Sequence, residues 1–104
     1  MTLGLSDKDL NTIALILKKF PGIQEAILFG SRAMGTFKPG SDVDMALKGQ
    51  ITLQIVAGVK ALLEEDSPMP YTFDVVDYHT IEIGTFKEHI DKYGKSIYSR
   101  TIRN

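Results

Sequence analysis

Apolar positions change their period several times along the chain, and each change marks an element. Over residues 6–20, Leu10, Ile13, Ala14 and Leu17 recur at helical spacing, which predicts a helix with one buried stripe. Ser6 suits its N-cap, Asp7 and Asp9 its positive end, and Lys18 and Lys19 its last turn before Pro21-Gly22 ends it. Residues 23–29 read as a strand that stops at Gly30-Ser31. A short helical turn over residues 31–34 then leads into a loop through Gly35, Lys38, Pro39 and Gly40.

Residues 42–48 form a second predicted strand, apolar at Val43, Met45 and Leu47. Side chains alternate along a strand, so Asp42 and Asp44 leave the opposite face together. Thr52 caps a second long helix reaching about residue 65, with Leu53, Val56, Ala57, Lys60 and Leu63 along one stripe, and Ser67-Pro68-Met69-Pro70 breaks it. A third strand is predicted over residues 71–78 and a final helix over 80–93, interrupted at Gly84. Residues 95–104 read as a polar tail ordered only in part. No repeat or linker divides the string, so the expectation is a single domain over residues 1–104. Strands alternating with helices place it in the α/β (α+β) class, a small sheet flanked by helices.

Composition narrows the function more than the fold. The 104 residues carry 12 Lys+Arg against 13 Asp+Glu, a formal net charge of −1. That balance argues against strong direct nucleic-acid binding, which needs many cations facing phosphates. No cysteine is present, which excludes disulfides, thiolate zinc sites and a cysteine nucleophile and fits a reducing compartment. The longest apolar run, Ile13-Ala14-Leu15-Ile16-Leu17, is far short of the roughly 20 residues that span a bilayer. The N-terminal residues lack an apolar signal region. A cytoplasmic protein with no membrane contact is expected.

The acidic positions carry the chemistry. Asp42 and Asp44, at i and i+2 on one strand face, lie roughly 6.5–7 Å apart at the backbone, close enough for their side chains to converge on one cation. Asp74 adds a further oxygen if the third strand lies alongside. Carboxylates this close repel by about 4 kcal/mol per pair at 4 Å and an effective dielectric near 20, and a divalent metal relieves the repulsion. Hard oxygen ligands without neighbouring histidine or cysteine indicate Mg²⁺ or Mn²⁺. Two such ions about 3.5–4 Å apart clamp the attacking and leaving oxygens of a phosphoryl or nucleotidyl transfer.

Other candidates are weaker by themselves. Gly30-Ser31 lies where a strand hands over to a helical turn, and exposed amides there suit phosphate, but the same dipeptide marks an ordinary capped turn. Gly30 and Gly35 have the glycine spacing of a P-loop. Thr36 and Phe37 stand where its lysine and hydroxyl must be, which rejects a P-loop ATPase. Arg32 and Lys38 are the cations nearest the acidic cluster, read either as phosphate contacts or as solvated loop charge. His79 and His89 lack ligand spacing and read as loop and helix surface, Asp77 as a surface or turn aspartate, and Lys95, Arg100 and Arg103 as solvated tail.

The string from Gly30 to Leu47, GSRAMGTFKPGSDVDMAL, is more specific than its parts. It resembles the signature of the DNA polymerase β-like nucleotidyltransferase superfamily, in which Gly-Ser opens a short helix and Asp-x-Asp follows in the next strand. The family's third acidic position matches Asp74 in a later strand. The context of Arg32 and Ser41 looks most like the minimal nucleotidyltransferase (MNT) branch, and the resemblance covers roughly residues 6–93. It implies a nucleotidyltransferase fold in which Gly30 and Ser31 contact the β- and γ-phosphates of ATP and Arg32 adds charge beside them. It further implies that Asp42 and Asp44 hold two Mg²⁺ ions and that Asp74 holds the catalytic one and helps deprotonate the attacking hydroxyl. The pattern departs at Met34, where the branch often has a second basic residue, a charge left to Lys38 or a partner, and at Met45, which replaces the usual leucine.

The resemblance also implies a role. Members of this branch bind a helical HEPN protein encoded beside them, several act as antitoxins, and some transfer AMP to a tyrosine of that partner. The expectation is therefore an ATP-dependent protein adenylyltransferase working in a hetero-oligomer with a HEPN-type toxin. The alternatives are a non-catalytic module that masks its partner, or a small-molecule nucleotidyltransferase of the antibiotic-modifying kind, whose relatives carry an additional helical domain for the acceptor.

Overall fold

A computed structural model describes residues 3–38, 40–82 and 84–100. The first helix, α1 (Asp7–Leu17), is closed at its start by a reciprocal cap in which the Asp9 amide donates to Ser6 Oγ and the Ser6 amide to Asp9 Oδ2. The chain then forms β1 (Ile23–Phe29), a single helical turn α2 (Ser31–Met34), β2 (Val43–Gly49), and α3 (Leu53–Glu65) capped by Thr52. It closes with β3 (Phe73–Asp77), a 3-10 turn (Tyr78–Thr80), α4 (Thr85–Tyr93) and β4 (Lys95–Ser99). The four strands form one mixed sheet in the order β3-β2-β1-β4, with β1 antiparallel to both β2 and β4 and β2 parallel to β3. The α/β expectation of a small mixed sheet with flanking helices holds.

Period-2 alternation sorts the strands onto two unequal faces. Leu28, Val43, Met45, Leu47, Phe73 and Val75 pack with Ile13, Leu17, Val59 and Leu63 of α1 and α3 in the main core. Ile27, Phe29 and Ala46 point the other way and meet α4 through Ile90 in a smaller cluster. Two helices cover one face and one short helix covers the other, so part of the second face stays open. Asp42, Asp44 and Asp74 have the parity of that open face.

The first helix stops at Leu17 rather than at residue 20, with Lys18 as its C-cap, so neither Lys18 nor Lys19 lies in its last turn. Three further elements differ from the sequence reading. The third strand is shorter than residues 71–78 because Tyr71 turns aside: its hydroxyl donates to Asp9 Oδ2 at 3.0 Å and its ring lies 4.9 Å from the Arg32 guanidinium. The final helix does not run over residues 80–93. Asp77 accepts from the His79 amide at 3.0 Å and starts the separate 3-10 turn, and α4 begins only after Gly84.

The last difference is the tail. Residues 95–99 form β4 on the free edge of β1, the Arg100 amide continues the pairing to the Gln24 carbonyl at 2.8 Å, and its guanidinium donates to the Ile23 carbonyl. Within KSIYS only Ile97 and Tyr98 are apolar, so local pattern predicts nothing. The strand exists because β1 supplies a ready edge, a long-range cause. Residues 101–104, the rest of the expected tail, lie outside the described residues.

Candidate active site

Gly30 is the hinge of the site. It closes β1 at φ +78°, a conformation that costs an L side chain strain, and a Cβ built there would collide with Asp44 Oδ2. Only glycine lets the β2 carboxylate lie against the turn. Gly30→Ala is therefore expected to cost about 1–2 kcal/mol of stability and to push the Asp44 carboxylate off the turn. Urea denaturation measures the first effect, and loss of divalent-ion binding the second.

Strand register assembles the acids. Asp44 is the direct neighbour of Asp74 in the parallel β2–β3 pair and of Phe29 in the antiparallel β1–β2 pair. Neighbouring strands lie about 4.8 Å apart, so Asp44 sits between its cross-strand partner Asp74 and Asp42, which lies just ahead of β2 because the strand starts at Val43 rather than at residue 42. Burial pushes the Asp44 carboxyl above its ordinary value, and Asp74 and then Asp42 add to the rise, while Arg32 and His89 partly offset it. The Asp44 carboxylate is thus both partly desolvated and crowded by two like charges.

Among the described residues no group of three His, Asp or Glu side chains is gathered tightly enough to cage a metal by itself. Mg²⁺ does not require such a cage, since it is ordinarily held by one or two carboxylates together with waters and substrate phosphates. An all-carboxylate set with Asp44 flanked on two sides fits that mode of binding. Nor do the three acids line the cavity of about 400 Å³ bounded by Ile51, Leu53, Val56, Val75 and Asp77 at the far end of β3. They lie instead on the open sheet face.

The two cations behave differently from each other. Arg32 was expected beside phosphates, yet its side chain is only 2% exposed. Its Nε and Nη2 donate to the Ser41 carbonyl at 3.3 and 2.9 Å, and Nη1 donates to the Leu3 and Gly4 carbonyls at 3.2 and 3.1 Å. The guanidinium is stacked between the rings of Phe37 and Tyr71. Its donors thus anchor the residue just before Asp42 and the segment ahead of α1, and what reaches the acids is its field. Lys38 is exposed in a tight turn, where its amide donates to Ser41 Oγ and the Ser41 amide to its carbonyl. Ser31 begins α2, whose first amides are capped by no side chain.

A residue that sequence reasoning placed on the helix surface sits at the site. His89 reaches across from α4, and the Gly30 amide donates to its Nε2 at 3.2 Å. The ring stands edge-on to Phe29, and Tyr93 flanks it at 5.4 Å. The signal available in the sequence was the aromatic stripe Phe86, His89 and Tyr93 at helical spacing. The other histidine, His79, is exposed.

The far edge of β3 is also secured. Lys60 and Glu64 pair on α3 at 2.9 Å, Glu64 accepts the Phe73 amide at 2.7 Å, and Lys60 donates to the Phe73 carbonyl. The Phe73 amide, and then Lys60, hold the Glu64 carboxyl below its ordinary value. These bonds fix the residue next to Asp74 at a place where a sheet edge would otherwise be open.

A glycine turn against a strand carboxylate, with a second acid just ahead of that strand and a third in the adjacent parallel strand, is the arrangement of a nucleotidyltransferase. The chain belongs to the family described as polymerase beta, nucleotidyltransferase, which it matches over residues 11–103. Among solved structures, a toxin–antitoxin crystallised with AMP-PNP is 22% identical over 88% of this chain and 74% of that one, with a TM-score of 0.73. The toxin–antitoxin MntA–HepT is 18% identical over 91% of this chain and 74% of that one, with a TM-score of 0.69. A protein of Sulfolobus solfataricus described as a nucleotidyltransferase is 20% identical over 88% and 77% of the two chains, with a TM-score of 0.53. At these identities the likeness is one of fold. No curated protein matches the chain, and no helix among its described residues is long and apolar enough to cross a membrane.

Proposed function

We propose that this protein is an MNT-type, Mg²⁺-dependent nucleotidyltransferase that moves AMP from ATP to a hydroxyl of a helical HEPN-type partner and thereby acts as an antitoxin. The observation that carries the reading is the register of Asp44 against Asp74 beside Asp42, with the Gly30 turn packed on Asp44. The match to the nucleotidyltransferase family supports the reaction class. That one structural neighbour is a toxin–antitoxin with AMP-PNP and another is MntA–HepT supports the nucleotide and the partner. The near-neutral net charge of −1 disfavours a nucleic-acid acceptor held through phosphates.

In this reading Asp42, Asp44 and Asp74 would supply carboxylate oxygens to Mg²⁺ ions whose shells are completed by water and the substrate's own phosphates, and the metal would neutralise the triphosphate and polarise the reacting phosphoryl group. Gly30 and Ser31 seat the β- and γ-phosphates, with Lys38 as the exposed cation nearby. The acceptor oxygen attacks the α-phosphorus in line, Asp74 takes its proton, and the bond to the bridging oxygen breaks to release pyrophosphate. The acceptor keeps the nucleoside monophosphate. Arg32 contributes by holding Ser41, and hence Asp42, in place, so catalysis rests on positioning and electrostatics.

The test is incubation with labelled ATP, Mg²⁺ and the product of the adjacent reading frame. Label is expected on that protein and is expected to disappear with the double variant Asp42→Asn, Asp44→Asn. Absence of transfer, or equal transfer by the double variant, overturns the reading. One observation favours a second reading, a non-catalytic module that masks its partner: Met34, where the branch often has a basic residue, is 47% exposed. Full neutralisation of the partner by the double Asn variant would establish it.

A further inference from the structure

We propose that His89 occupies the phosphate seat at Gly30 in the free protein and yields it to an incoming nucleoside triphosphate. The inference rests on the nucleotidyltransferase reading above. Glycine has no side chain, so the single donor Gly30 offers a phosphate is its amide. That amide is already engaged, donating to His89 Nε2 at 3.2 Å. Accepting this bond requires a neutral imidazole with its proton on Nδ1. A phosphate oxygen accepting from the same N–H must stand where Nε2 now stands, because one N–H serves one well-aligned acceptor.

The surroundings make His89 a fitted occupant rather than a passing surface contact. Its ring is edge-on to the buried ring of Phe29 and is flanked by Tyr93. The Asp44 carboxylate lies against Gly30, where a glycine Cβ would be. The turn is therefore held between the Asp44 carboxylate on one side and the His89 ring on the other. The imidazole is free to depart without dismantling the core, because α4 is anchored through the neighbouring buried Ile90 while Phe86 and Tyr93 are partly exposed. Admission of the triphosphate costs one hydrogen bond, equivalent to about two- to tenfold in affinity.

Calorimetric titration of the full chain with Mg·ATP and with adenosine tests this, using His89→Ala and His89→Phe. The phenylalanine variant keeps a ring against Phe29 and Tyr93 but accepts no hydrogen bond, and thermal melts check that both variants fold. Both are expected to bind Mg·ATP about two- to tenfold more tightly than the wild type, with adenosine affinity unchanged. The ¹⁵N signal of His89 Nε2 in the wild type is expected to lose its hydrogen-bonded shift at saturating Mg·ATP, while the Gly30 amide stays bonded. Unchanged or weaker Mg·ATP binding by both variants, equal tightening toward adenosine, or an unmoved His89 signal overturns the role of His89 alone. Failure of all three proteins to bind Mg·ATP overturns the nucleotidyltransferase reading itself, and this inference with it.

Discussion

Asp44→Asn is expected to abolish nucleotidyl transfer by about 10³-fold or more while raising the melting temperature. The two effects have one cause. Burial and the charges of Asp74 and Asp42 raise the Asp44 carboxyl above its ordinary value, so the native state holds that proton more tightly than the unfolded chain does. Unfolding then releases a proton, and stability falls as pH rises from the unfolded value through the raised folded one. Above the raised folded value the penalty is present in full, and the neutral amide removes it. Because Asp44 retains contact with water, solvent screening keeps the gain small. Thermal melts of wild type and variant at pH 7 and pH 4 check the sign: the difference is expected to shrink at the lower pH. A variant that is inactive and also less stable at pH 7 would contradict the account of Asp44 as a strained ligand.

Arg32→Ala carries the second large effect, and it falls on the fold. Removing the side chain leaves the carbonyls of Ser41, Leu3 and Gly4 without their guanidinium donor and opens the space between Phe37 and Tyr71. Lost hydrogen bonds to a charged donor and lost stacking together amount to about 3 kcal/mol, a fall of at least about 12 °C in Tm. Arg32→Lys is expected to recover little of it, because one ammonium cannot reach three carbonyls in the geometry of the planar fork. A side chain whose role was to touch the triphosphate would give the opposite pattern, with Tm preserved and ATP affinity lost. Differential scanning calorimetry alongside ATP titration separates the two outcomes.

Much of the fold was legible because its signals are local. The cap at Ser6, the strand over residues 23–29, the turn over 31–34 and the cap at Thr52 each follow from a few adjacent residues, and the structure forms all four. The parity that puts Asp42 and Asp44 on one face is local as well. What the sequence could not announce were contacts between distant segments. Tyr71 left its predicted strand for Asp9 and Arg32, residues 95–99 became a strand only because β1 had a vacant edge, and His89 met Gly30 across 59 positions of chain.

The amino-acid sequence by itself determined the alternation of helices and strands, the glycine turn, the spacing of the acids and, through GSRAMGTFKPGSDVDMAL, the resemblance that points to a nucleotidyltransferase. These are properties of neighbours along the chain, where 3.6- and 2-residue periods and turn chemistry operate. Tertiary structure decided which neighbours in space each residue acquired. It set Asp74 beside Asp44, withdrew Arg32 from the solvent to hold Ser41, and lodged His89 on the Gly30 amide. Those outcomes depend on sheet register and on which helix covers which face, and both are settled by burying a common core rather than by any single segment.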